Sequence, residues 1–224
     1  MSSSVFVPEI LLAGLLSVVA GIIVLVELSV VSSSDLQDVD ATFAIPALLA
    51  ISYLVGLSFK HLSHDHPSLR WLVVENRMIY RDRLVNRWPV FARQMIKNWS
   101  EPDDQIDAEL PLADVPAEHY RTLVSRLRLY QLSKYEAPYA EHLNYQWNLA
   151  RLAKNIIPPM GFLFISCLVA VVVNLFESSL KTAFGFCLLA MLSALLILGL
   201  RRVHVDRSSY HLDALVKASQ ANGR

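Results

Sequence analysis

Residues 7–31, 43–59, 160–176 and 182–200 are almost continuously apolar, and the last three of these runs contain no Asp, Glu, Lys or Arg. A helix needs about 20 apolar residues to cross a hydrocarbon core of roughly 30 Å. The runs therefore predict four transmembrane helices, two of them short, with Pro46 in one and Pro158 and Pro159 at the edge of the other. Composition agrees. The chain has 224 residues, 54% hydrophobic and 18% charged, with mean hydropathy +0.39, whereas soluble domains run nearer a quarter charged. Two Cys in such a length exclude a disulfide scaffold and a cysteine-based zinc site. Residues 1–8 contain no Lys or Arg and the apolar run behind them is long, so the first run reads as a retained span rather than a cleaved signal.

The net charge of zero conceals an uneven distribution. Residues 32–41 carry Asp35, Asp38 and Asp40 and no base, and 177–181 make a minimal turn. Residues 60–155 hold fourteen of the twenty bases, and the chain after Leu200 holds five more. Positive residues stay on the cytoplasmic side. The expected topology is a multi-pass protein of the inner (plasma) membrane with both termini cytoplasmic. Its divisions are a hairpin at 1–60, a cytoplasmic helical domain at 61–155, a second hairpin at 156–200 and a cytoplasmic tail at 201–224.

The inserted segment is patterned for helices, so the fold class is all-α. Leu69, Leu72, Val73, Ile79, Leu84, Trp88 and Met95 recur near helical spacing from Pro67 to Trp99, with Pro89 placed to bend or divide the run. Residues 101–118 hold seven acids, three prolines and no base, a composition for a solvated loop. A second helix follows from about Ala117, and a third begins near Pro138 and runs into the membrane at Ile156.

Enzymatic chemistry finds little support. No Gly-x-Ser-x-Gly, P-loop or dinucleotide glycine pattern occurs, so no catalytic residue, metal ligand or cofactor is assigned. His61, His64, Asp65 and His66 have metal-ligand character, but desaturase-like sites need several such boxes, and His119, His142, His204 and His211 stand singly. A polar juxtamembrane turn accounts for the cluster as well. Cys167 and Cys187 read as apolar residues at different depths in the membrane, too far apart for a disulfide.

Arginine interleaved with aromatics is the more informative pattern. Arg77, Arg81, Arg83 and Arg87 accompany Tyr80 and Trp88, and Arg121, Arg126 and Arg128 accompany Tyr120 and Tyr130. Guanidinium groups fork onto phosphate and aromatics stack on bases, which fits an anionic nucleotide ligand but not duplex nucleic acid. Positive-inside bias on solvated helix faces explains the same charge without a ligand, and the acidic segment 101–118 of the same or another subunit is a competing occupant.

Inside the membrane, Glu27 and Asn174 near span ends are candidates for a pore mouth. Pro158 and Pro159 are candidates for a hinge where a cytoplasmic helix enters the bilayer. The small residues Ala13, Ser17 and Gly21, and Ser166, Ala170 and Asn174, lie four or so apart and favour close helix packing, within one bundle or between subunits.

Two transmembrane hairpins around a helical cytoplasmic insert resemble the small membrane effectors of bacterial anti-phage systems, of the Hailong and Kiwa types. The resemblance is one of architecture over the whole chain and assigns no residue a role. It implies a membrane component, often a homo-oligomer, controlled by a cytoplasmic partner protein or an oligonucleotide messenger. Two functions follow as expectations: a gated channel or membrane-disrupting effector, and a non-conducting anchor or scaffold that recruits a partner.

Overall fold

The computed structural model describes residues 6–30, 41–65, 74–99, 110–134, 137–177 and 179–222. These form helices α1 (Phe6–Glu27), α2 (Ala41–Asp65), α3 (Asn76–Arg87), α4 (Pro89–Trp99), α5 (Ala117–Lys134), α6 (Ala137–Phe176) and α7 (Leu180–Asn222), with no strand among the described residues. Three of them, α1, α6 and α7, are long and apolar enough to cross a membrane, while α2 contributes a shorter apolar stretch, Ile45–Leu57. At 1.5 Å per residue, α6 with 40 residues and α7 with 43 extend about 60 Å and 65 Å, roughly twice a hydrocarbon core.

The chain divides into two compact units. An apolar unit comprises Met1–Val73 and Leu152–Arg202; an arginine-rich unit comprises Val74–Arg151 and Val203–Arg224. Helices α6 and α7 contribute residues to both.

In the apolar unit, α1 and α2 approach backbone to backbone. A Cβ added at Gly14 would collide with the Ser52 carbonyl and lie 2.9 Å from Gly56 N, and one at Gly56 would collide with the Ile10 carbonyl and lie 3.0 Å from Gly14 N. Only hydrogen fits at those two positions. Of the small residues marked from the sequence, Ala13 and Ser17 are buried, but a Cβ at Gly21 meets nothing within 4 Å. The closest approach thus falls one residue away from the stripe at 13, 17 and 21. Three serines in this unit bond to their own helices: Ser17 Oγ donates to Ala13 O, Ser166 Oγ to Phe162 O and Ser193 Oγ to Leu189 O, each at 2.9 Å. Such bonds let hydroxyls sit in apolar surroundings. Large apolar side chains point outward, among them Leu54, Phe184 and Leu195 at 63 to 65% exposure.

Helix α1 ends in a Schellman turn, with Val30 N donating to Leu25 O at 2.9 Å and Ser29 N to Val26 O at 3.0 Å. Its left-handed position is filled by Ser29, φ 54°, where glycine is usual.

The arginine-rich unit has a conventional core: Tyr80 and Leu84 from α3, Phe91 and Met95 from α4, Leu123 and Leu127 from α5, Leu143 from α6, and Leu212 and Leu215 from α7. Pro89 separates α3 from α4 because its ring excludes the helical conformation at Trp88, which adopts φ −128°, ψ 47°. Glu75 is extended, so α3 begins at Asn76; the expected start near Pro67 lies outside the described residues.

Two expectations change here. Leu112 and Val115, at the end of the acidic segment, are core residues, and Tyr120 Oη donates to Leu112 O at 2.8 Å. Residues 110–116 are therefore a packed turn rather than a solvated loop, while 100–109 lie outside the described residues. The segment 201–222, read as a tail, continues α7, and its Leu212, Leu215 and Val216 complete the core. The apolar spacing 212, 215, 216 buries one face of that helix, which a free tail would leave in water.

Candidate functional site

The arginines singled out from the sequence are mostly engaged within the arginine-rich unit. Arg77 pairs with Glu75 and with Glu118 Oε2, the latter at 2.8 Å, and Arg121 reaches Glu118 Oε1 at 3.3 Å. The shared carboxylate of Glu118 is held below its ordinary range chiefly by the hydrogen bond from Arg77, and the Arg77 guanidinium is raised in turn. Arg81 donates to the carbonyl of Ala113, and Arg126 is half-buried and engaged as well.

Arg83 forks onto Asp213, Nη2 to Oδ2 at 2.8 Å and Nε to Oδ1 at 3.3 Å; Trp88 Nε1 donates to Oδ1 at 2.8 Å, and Arg87 lies 3.5 Å from Oδ2. Burial works to raise Asp213, but the bonds from Arg83 and Trp88 outweigh it and hold the carboxyl down. Asp213 thus ties the α3–α4 junction to α7.

Arg128 is different. It donates to Asn144 Oδ1 at 2.9 Å, and its guanidinium lies 4.6 Å from the ring centre of Trp147. Burial depresses it first, the Tyr80 hydroxyl opposes that and the Arg151 cation adds to it, and no carboxylate among the described residues contributes. Around it stand polar groups with hydrogen-bonding capacity to spare: Tyr80 Oη, which burial raises strongly, and the amide of Gln131 one turn along α5. The ring of His211 packs on Trp147 with centroids 5.4 Å apart. Burial, then the Arg128 cation, push His211 down to about 4 against the opposing Leu143 carbonyl.

In the apolar unit the two pore candidates meet. Asn174 Nδ2 donates to Glu27 Oε2 and also to Ala170 O at 2.9 Å, so the last residue of α1 is joined to the end of α6. Pro158 and Pro159 are buried inside α6, whose helical course continues through them. The side chains of His61 and His64, and all of His66, lie outside the described residues. No group of three or more His, Cys, Asp or Glu stands ready for a metal ion among the described residues.

Arg77 and Arg121 are surface cations sharing the carboxylate of Glu118. The sequence reading passed over Asp213, Gly14, Ser52 and Gly56, and left His204 as a singly standing histidine. His204 sits on the α7 stripe 204, 208, 211, 212, 215, whose period was visible once the bases at 201 and 202 were not taken as its end, while Asp213 lies off that stripe. Ser52 and Gly56, four apart, were the visible partner for Gly14. No protein-family model matches the chain, and neither a curated protein nor a solved structure is significantly similar to it.

Proposed function

We propose that the chain is a homo-oligomeric membrane channel or membrane-disrupting effector of the inner (plasma) membrane, gated through its arginine-rich unit. In this reading α1, α2 and the apolar lengths of α6 and α7 are four spans, with both termini and the arginine-rich unit cytoplasmic, a placement that the distribution of bases supports. The observation that carries the proposal is the double membership of α6 and α7. Each supplies core side chains at one end, Leu143 on α6 and Leu212 and Leu215 on α7. Each exposes an apolar, bilayer-length stretch at the other, through Ile165 and Val172 on α6 and Leu188 and Leu195 on α7.

A ligand that repacks the core acts on helices that also cross the bilayer, with Pro158 and Pro159 as the place where α6 can bend. The ligand class is an anion, an oligonucleotide messenger in the anti-phage setting, competing with Glu118 for Arg77 and Arg121. Glu27 and Asn174, joined where α1 and α6 end, are the residues proposed to close or line a pore mouth. The lipid bilayer and further copies of the chain are the other partners.

A second reading, a non-conducting anchor that recruits a cytoplasmic protein, draws on a different observation. Met78, Val90, Leu129 and Tyr145 on the arginine-rich unit are 49 to 72% exposed, and such apolar groups on a charged surface suit a protein partner.

Planar bilayers separate the two. The purified full-length chain, an oligomer in nanodiscs, should give discrete conductance that changes when Arg77→Ala and Arg121→Ala release Glu118. A monomer that never conducts contradicts the channel and favours the anchor.

A further inference from the structure

His204 has no exposed surface, and each of its ring nitrogens faces a main-chain carbonyl: Nδ1 lies 2.9 Å from Ala150 O on α6, and Nε2 lies 2.9 Å from Val74 O in the extended stretch before α3. A carbonyl oxygen only accepts. A neutral imidazole carries one N–H, so it serves one of these oxygens and turns a lone pair toward the other, whereas the doubly protonated ring donates to both. The three residues occupy a particular place in the chain. The backbone passes between the two units at 73/74, 151/152 and 202/203, and Val74, Ala150 and His204 each lie within two residues of one of these passages.

We propose that His204 is a proton-dependent clasp that gathers the three chain passages when its ring is doubly protonated and releases one of them when the second proton leaves. Enclosure opposes the charge. So do the bases of its own unit beside these residues, Arg151 after Ala150 and Arg207 one turn along α7, the latter donating to Gln146 at 2.9 Å. Glu75, after Val74, and Asp206 favour it, though Glu75 is shared with Arg77. The opposing influences make the second proton conditional, which is what a switch near neutral pH requires.

His211 is the internal control. It lies two turns further along the same face of α7, equally enclosed, but burial and then the Arg128 cation hold it down to about 4, with the Leu143 carbonyl alone opposing them. The clasp does not depend on whether the protein conducts.

The test is nitrogen NMR of the histidine rings in the full-length chain, reconstituted in nanodiscs, at about pH 6 and about pH 8 on either side of the ordinary histidine range. The His204 ring is assigned by its loss in His204→Gln. Should that variant not fold, proximity to 13C-labelled Val and Ala carbonyls assigns it in the wild type. The expected result is protonation of both nitrogens at about pH 6 and of one at about pH 8. The protection factors of the amides just after Val74 or Ala150, which remove the base catalysis of exchange itself, should fall about ten-fold across that step, as for loss of a charge-assisted bond. A His204 ring that is neutral at about pH 6, or still doubly protonated at about pH 8, overturns the clasp.

Discussion

In the apolar unit α1 and α2 touch through Gly14, Ser52 and Gly56 with no side chain between their backbones, whereas in the arginine-rich unit α3, α4 and α5 are spaced by Tyr80, Leu84, Phe91 and Leu127. Under the proposed membrane placement, the difference follows from the solvent each unit would meet. Lipid tails are as apolar as leucine, so burying leucine against a neighbour gains little there, and close dispersion contact and shared polar pairs such as Asn174 with Glu27 must serve. In water the same leucine gains about 25 cal/mol per Å² buried. In that placement helices α6 and α7 change from one regime to the other along their length. The same residue type is therefore exposed at Leu195 and fully buried at Leu212.

The comparison is broken most severely from the water side. Leu84→Ala removes a side chain with no exposed surface from the core and should cost about 2–5 kcal/mol. Chemical denaturation followed by tryptophan fluorescence measures it, and the loss should be confined to the arginine-rich unit.

Acid should single out the same unit. His211 takes its proton more readily in the unfolded chain, near 6.5, than in the folded one, near 4. Its contribution is complete above about 6.5 and is lost as pH falls toward 4, a change on the order of 3 kcal/mol. His211→Phe, which keeps a ring against Trp147, should flatten the thermal midpoint over that window.

On the lipid side the expected effect is smaller but sharper in position. Gly14→Ala places a methyl group against the Ser52 backbone, which cannot rotate away, and should cost about 1–3 kcal/mol. Gly21→Ala, with open space around it, should be neutral. Resistance to unfolding in mixed micelles distinguishes the pair. The smallest change is a gain: Ser29→Gly at φ 54° should stabilise the end of α1 by about 0.5–1 kcal/mol in the same assay.

These contrasts also mark what was legible beforehand. Apolar runs and helical spacing revealed the all-helical class, the division at Pro89 and the start of α5, because those are local properties of neighbouring residues. The small-residue stripe at 13, 17 and 21 came close to the α1–α2 contact but missed Gly14, since a backbone approach depends on the partner helix and only Ser52 and Gly56 fix its register. Leu112 and Val115 were hidden by the acids around them, and the α7 core face by Arg201 and Arg202. Arg83 with Asp213, 130 positions apart, and Arg77 with Glu118, 41 apart, are pairings that no local pattern encodes.

The central claim is that α7 is one helix serving two environments, and accessibility mapping along it tests this directly. Single cysteines at 184, 188, 195, 198, 207, 212 and 215, in a background lacking Cys167 and Cys187, are reacted in nanodiscs with a lipid-soluble and a water-soluble reagent. The account predicts lipid labelling at 184 to 198, water labelling at 207, and protection from both at 212 and 215 until the protein is denatured. Water labelling throughout 184 to 198, or lipid labelling at 212 and 215, would contradict it.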